Sequence, residues 1–171
     1  MRRKLFVTLL ITACIFAFVY VGFLFLPYFA DTNGLTHSVI KIVYGYQVGF
    51  GVSGQPDVKI VGNTFIAIGQ ISGILAAIFS VVFFIGFGLH KKDKPIFFFL
   101  FGIAVAGLAL AFTSSVLAWP MYQNLNASSK DVAVFSWTYI VSTVAIALAF
   151  VIEGFLLIYL GFNRKKRWLE N

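Results

Sequence analysis

Four long stretches contain no charged side chain: 5–30, 60–90, 95–129 and 132–163, the last broken only by Glu153. Each exceeds the roughly 20 apolar residues that cross about 30 Å of hydrocarbon at 1.5 Å per residue. The pattern predicts transmembrane helices over 5–26, 64–89, 96–118 and 137–159, with an outer loop over 27–63. Aromatic residues suited to the two interfaces mark several ends: Tyr28, Trp119 and Trp137 on one side, Tyr159 and Trp168 on the other.

The period changes in the first long connection. Ile40, Ile42, Tyr44, Tyr46, Val48, Phe50 and Val52 hold every even position, and the odd ones carry Lys41, Gln47, Ser53, glycines and valines. A period of two indicates β-structure with one apolar, aromatic face. Gly45, Gly49 and Gly51 are places to bend or bulge. Gly54-Gln55-Pro56-Asp57 is a turn signal, after which Val58 and Ile60 return as a short partner strand. The fold class expected is an all-α membrane protein. It is a single four-transmembrane-helix domain over 1–171, with a small extracytoplasmic β-ribbon in the first outer loop. Tyr44, Tyr46 and Phe50 form its candidate interaction surface.

Composition agrees with this class: only 11% of residues are charged, against about 25% in soluble proteins. The formal charge of +7 is concentrated in three clusters beside the spans, namely Arg2, Arg3, Lys4; Lys91, Lys92, Lys94; and Arg164, Lys165, Lys166, Arg167. Lys41, Lys59 and Lys130 are left for the other side. This asymmetry puts both termini and the second connection in the cytoplasm of a multi-pass cell (plasma) membrane protein. It also explains the positive charge through anionic lipid head groups, so no nucleic-acid partner is expected.

A cleaved signal peptide is disfavoured by the length of the first apolar run and by Tyr28-Phe29-Ala30, a poor cleavage site. Ile11-Thr12-Ala13-Cys14 matches a lipoprotein processing box, but a further apolar run follows Cys14 where a polar tether belongs. Cys14 is the single cysteine, so no intrachain disulfide forms.

Within the spans, small residues recur at helical spacing: Gly69, Gly73, Ala76 and Ser80 on the second; Ala104, Gly107, Ala111, Ser114 and Ala118 on the third; Ser142, Ala145 and Ala149 on the fourth. Such stripes let helix backbones approach closely where lipid removes the hydrophobic drive to associate. Glu153 continues the last stripe, opposite Val144, Leu148, Val151, Phe155 and Ile158, and is expected to face the bundle. It lies six residues from Tyr159, about 9 Å from the inner interface. Its expected neighbours at that depth are Thr12, Ser80 and Gly102. None is a cation, so the carboxyl is expected to be neutral and hydrogen-bonded to a hydroxyl or a water. The candidate intramembrane polar site is Glu153 with Ser80 and Thr12. Its two readings are a clasp that fixes helix register and an ion or proton site.

Other motifs dissolve in context. Gly49-Phe50-Gly51-Val52-Ser53-Gly54 fits the dinucleotide fingerprint, yet Pro56 and a turn follow where a helix N-terminus should receive the pyrophosphate. Asn126-Ala127-Ser128 is a glycosylation sequon beside the membrane. Leu157-Ile158-Tyr159 before Arg164 meets a cholesterol pattern that any interfacial tyrosine with a basic flank satisfies. His37 and His90 lack neighbours at metal-ligand spacing. No cofactor is expected.

The layout of a long β-containing first outer loop, a short second one and internal termini resembles claudin-like topology, without the outer tryptophans and paired cysteines of claudins in 31–59. Gly45-Tyr46-Gln47-Val48-Gly49-Phe50-Gly51 resembles a segment of uncharacterised small four-helix membrane proteins of Gram-positive bacteria, which implies the same topology and no known activity.

Three functional classes remain. A non-enzymatic interaction or accessory membrane protein would meet a partner or another copy through the outer loop or the small-residue faces. A small transporter or oligomeric channel would use Glu153, with Gln70, Ser72, Thr113, Ser114, Ser115, Ser142 and Thr143 in the outer half of the bundle. Transporters ordinarily carry internal repeats and broken helices, and neither is visible here. Catalysis needs two cooperating groups within reach, and no such pair or zinc motif occurs, so enzymatic function is not expected.

Overall fold

The computed structural model describes residues 3–31, 36–38, 43–44, 46–48, 58–60, 62–88, 95–125 and 133–169. Four helices, α1 (Arg3–Phe23), α2 (Thr64–Gly88), α3 (Pro95–Leu125) and α4 (Trp137–Leu169), form a bundle. Each contains a segment long and apolar enough to cross a membrane: Lys4–Phe23, Thr64–Phe87, Pro95–Ala118 and Trp137–Phe162. The helices pack in the ring order α1, α2, α3, α4, with the tightest contacts between α2 and α3 and between α1 and α4. Both termini therefore lie at one end, called here the terminal end, and the two longer connections at the loop end.

Local chemistry sets the helix boundaries. Asn63 caps α2, its Oδ1 accepting from the backbone N–H of Phe65 at 2.9 Å and of Ile66 at 3.4 Å. Pro95 opens α3, where its missing N–H costs nothing. α1 ends three residues before the expected 26, because Leu24, Phe25 and Leu26 tighten into three-residue turns ahead of Pro27. Two helices run past their expected ends. α3 continues through Pro120 to Leu125, the proline forfeiting one donor near the last turns. α4 continues through the basic cluster to Leu169.

Short strands gather at the loop end. β1 (Pro27–Asp31) pairs antiparallel with β2 (Thr36–Ser38) and β5 (Ala133–Phe135), in the order β2-β1-β5. The sequence pattern does not announce this sheet, which ties the segment after α1 to the one before α4. The Thr138 hydroxyl adds a bond to the Pro27 carbonyl at the same junction. β3 (Tyr46–Val48) pairs with β4 (Val58–Ile60), Tyr46 standing opposite Ile60. The rest of the ribbon expected over 40–60 is different or undescribed. Val43 and Tyr44 are helical, so the alternation does not run as one strand, and 39–42, 45 and 49–57 lie outside the described residues. Glycine-rich alternation supplies few cross-strand side-chain pairs to hold a long strand.

Bulky apolar residues cover the perimeter, and small ones line the faces where helices meet. Ile71, Leu75, Ile78, Phe99, Val151 and Phe155 are exposed on the perimeter, whereas Ala76, Ala77, Ala104, Ala111, Ala145 and Ala149 are buried. A Cβ built on Gly107 would stand 2.8 Å from the Ser72 carbonyl oxygen and 3.0 Å from the Ala76 methyl, and one on Gly69 would overlap the Ser114 side chain. The α2–α3 seam is thus closed by the absence of side chains.

The core has two parts. Toward the loop end, Tyr20, Ala76, Ala77, Leu108, Ala111, Ile146 and Ala149 cluster. Toward the terminal end the cluster is aromatic: Phe83 stacks on Phe101 at 4.1 Å and Phe6 on Phe87 at 4.6 Å, with Leu10, Ala104 and Leu156 beside them.

Gly107→Ala is expected to lower stability by about 1–3 kcal/mol, because the methyl meets a backbone carbonyl that cannot move aside. Gly154→Ala, whose Cβ meets nothing within 4 Å, should be neutral or stabilising by up to about 1 kcal/mol. Thermal unfolding in detergent compares the two; equal midpoints would refute the close α2–α3 approach.

Candidate intramembrane carboxyl site

The inward stripe of α4 is Thr138, Ser142, Ala145, Ile146, Ala149, Glu153 and Leu156, all buried. Spacing of three and four residues turns these to one face, while Val144, Leu148, Val151, Phe155 and Ile158 look outward. Glu153 is fully enclosed, with 0% exposure.

Its depth follows from an aromatic contact. The rings of Phe6 on α1 and Tyr159 on α4 meet at 6.4 Å, which aligns these antiparallel helices. Six residues toward the loop end on each helix, Glu153 is level with Thr12 and its neighbour Ala13, the latter fully buried. Ala13, Ser80 and Glu153 belong to neither apolar cluster and occupy the layer between them. On α2 that layer lies between Ala77 and Phe83; on α4 it lies between Ala149 and Leu156.

The Glu153 side chain approaches Ser80, on the helix diagonally opposite in the ring. Ser80 donates its only hydroxyl proton to the Ala76 carbonyl at 2.8 Å. Its oxygen can then accept but not give, while neither carboxyl oxygen of Glu153 has a hydrogen-bond partner among the described residues. The donor count has a chemical consequence. A protonated carboxyl can donate to Ser80 Oγ, completing a chain from Glu153 through Ser80 to Ala76. An ionised carboxylate only accepts, and finds a donor in Ser80 only if that hydroxyl turns away from Ala76. The arrangement therefore has two proton states, distinguished by the rotation of one hydroxyl. Cys14 on α1 lies within electrostatic range of the carboxyl.

The other expected partners are placed elsewhere. Thr12 is partly exposed, and its hydroxyl donates to Thr8 O on its own helix at 2.9 Å. At this level α1 turns Leu10, Ala13 and Ala17 inward. Thr12 is one position off this stripe, an error of about 100° in helical phase. Gly102 meets nothing within 4 Å of its Cβ position, and α3 buries Phe101, Ala104 and Leu108 instead. Of the outer residues, Tyr44 is 83% exposed, Tyr46 opens β3, and Phe50 lies outside the described residues. His90, the glycine motif at 49–54 and the sequon at 126–128 are outside them as well.

The hydroxyls nearer the loop end are mostly spent on their own helices. Ser114 donates to Ala111 O at 2.9 Å, Thr113 to Ala109 O at 2.8 Å and Ser142 to Tyr139 O at 3.0 Å. Two tyrosines that sequence reasoning did not single out join this region. Tyr139 donates to Ser115 O at 2.5 Å, and Tyr20, fully buried, brings its hydroxyl beside Ser115 and its ring against Gly73. The signal for Tyr20 was its place in the series Phe6, Leu10, Ala13, Ala17, Tyr20, Leu24, which keeps one face of α1 buried. Among the described residues, no three of His, Cys, Asp and Glu gather as metal ligands.

No protein family, curated protein or solved structure matches this chain.

Glu153→Ala should cost about 2–4 kcal/mol, the range for emptying a buried site of this size. Glu153→Gln, whose amide can donate to Ser80, should cost less than about 1 kcal/mol. Denaturation in detergent distinguishes the cases, and an alanine variant as stable as the parent would show that the side chain supports nothing.

Proposed function

We propose that the protein is a non-enzymatic interaction or accessory protein of the cell membrane, multi-pass, with both termini in the cytoplasm. The observation that carries this reading is the filled interior. Fully buried side chains follow one another along all four helices, and the hydroxyls of Thr113, Ser114 and Ser142 in the loop-end half are committed to carbonyls of their own helices. A bundle so closed acts through its surface. Orientation in this reading rests on the basic clusters at 2–4, 91–94 and 164–167, which the positive-inside preference keeps in the cytoplasm.

The recognition surface in this proposal is the outer loop with Tyr44, Tyr46 and Phe50. Its supports are the alternating pattern and the exposure of Tyr44, an amphipathic aromatic of the kind enriched at interfaces. The segment resembling small membrane proteins of Gram-positive bacteria, 45–51, falls within it. Tyr44→Cys in a Cys14→Ser background, labelled on intact cells with a membrane-impermeant photoreactive maleimide, tests side and surface together. Labelling followed by capture of a defined protein or a second copy is expected; failure to label intact cells would overturn the orientation, and capture of lipid alone the interaction role.

A second reading is favoured by one specific observation, the unpartnered oxygens of Glu153. A carboxyl enclosed in a membrane bundle with no cation beside it is suited to taking up and releasing a proton or small cation, as a transporter or oligomeric channel requires. In liposomes, Glu153→Gln should then abolish a proton or cation flux of the wild-type protein; a wild type without flux would dispose of this reading.

A further inference from the structure

The ring of helices is not equally tight. α1 packs chiefly on α4 and α2 chiefly on α3, which leaves the α1–α2 seam the looser side of the site. A groove of about 440 Å³ opens there toward the surrounding lipid, lined by Ile11, Cys14, Ile15, Phe18, Val81 and Phe84. Ile11, Ile15 and Phe18 are exposed along its rim, and Cys14 carries the one side-chain heteroatom among the lining residues described.

The groove and the buried carboxyl are separated by one layer of side chains. Ala13 and Ser80 face the bundle axis at the level of Glu153, and their sequence neighbours Cys14 and Val81 face the groove. Glu153 approaches Ser80, so its carboxyl lies on the axis side of the wall whose outer side is formed by Val81 and Cys14. Ala13 contributes only a methyl to that wall.

We propose that the α1–α2 seam is a lateral binding site for a lipophilic cation, whose apolar body fills the groove and whose charge is neutralised by Glu153. The occupant's chemistry follows from the walls. The lining takes an apolar body and offers it no hydrogen-bond partner beyond a thiol, and its volume lies within the range of small-molecule sites. The enclosed carboxyl supplies a single negative charge with neither oxygen partnered. In a site shielded from water, that charge attracts a cation far more strongly than in solvent. A ligand with this pairing of features partitions into the bilayer and arrives at the groove from the side. The inference rests on the reading of Glu153 as an ion site and adds the ligand class and its route.

Dicyclohexylcarbodiimide reacts with protonated carboxyls from the hydrocarbon phase, and a bound cation keeps the carboxylate ionised and unreactive. In proteoliposomes of the full chain, Glu153 should be modified, as read by peptide mass spectrometry, and tetraphenylphosphonium should slow the modification by about tenfold, or about 1.4 kcal/mol of competing binding. Cys14→Phe, or Cys14→Leu should the larger side chain disturb folding, fills the groove and should suppress both labelling and protection, with the variant eluting from gel filtration as the wild type does. Unmodified Glu153 in the wild type, modification unaffected by tetraphenylphosphonium, or equal modification in the groove-filled variants would each overturn the lateral site. Flux lost in Glu153→Gln without protection by tetraphenylphosphonium would leave the ion site standing and remove this ligand class; protection without flux would do the reverse for transport.

Discussion

A peptide group in hydrocarbon has no hydrogen-bond partner except another peptide group, and the rest of this structure follows from that constraint. Each lipid-exposed stretch of backbone must satisfy itself, so the four apolar runs become helices, and among the described residues the strands lie outside the four candidate spans. The same rule accounts for the side-chain hydroxyls. Thr8, Thr12, Ser80 and Thr113 return their protons to a carbonyl four residues back, because nothing in the lipid would accept them.

Once the backbone is satisfied, hydrophobicity no longer separates inside from outside. The perimeter carries isoleucine, leucine, valine and phenylalanine; the interior joins small residues on the facing stripes, such as Ala76, Ala111 and Ala149, to large ones that fill the space between them, such as Tyr20, Leu108, Phe83 and Phe101. Close contact at the α2–α3 seam replaces the hydrophobic drive that would gather helices in water, since dispersion depends on short distances between many atoms. Aromatic stacking of Phe6, Phe83, Phe87 and Phe101 closes the terminal end, where the small-residue stripes give way. At the loop end, the β1–β5 pairing and the Thr138 bond to Pro27 add hydrogen bonds to the packing that holds α1 and α4 together.

Glu153 interrupts this economy. It lies between the two buried clusters along α4, and among the described residues Ala13 and Ser80 are its buried companions outside those clusters at that level. A carboxyl there costs more than any residue of the same size, and its donor balance changes with its protonation. A shift of one helical turn would leave it against Phe83 or Ala76, and its hydrogen-bond balance depends on whether it holds a proton.

Span number and the inward face of α4 were legible in residue order alone. Length and charge exclusion depend on the chain's own atoms and the lipid, and a period of 3.6 puts Ser142, Ala145, Ala149 and Glu153 on one side in any packing. Tertiary structure alone decided what faces Glu153. Thr12 matched the depth but missed the phase, since the rotation of α1 about its axis is set by Phe6, Ala13 and Tyr20 finding room against three other helices. The β1–β5 pairing was equally hidden, because backbone hydrogen bonds carry no side-chain signature and join segments far apart in the chain. Residue order dictates which face of a helix is small; only the neighbouring helices dictate which side chain meets it.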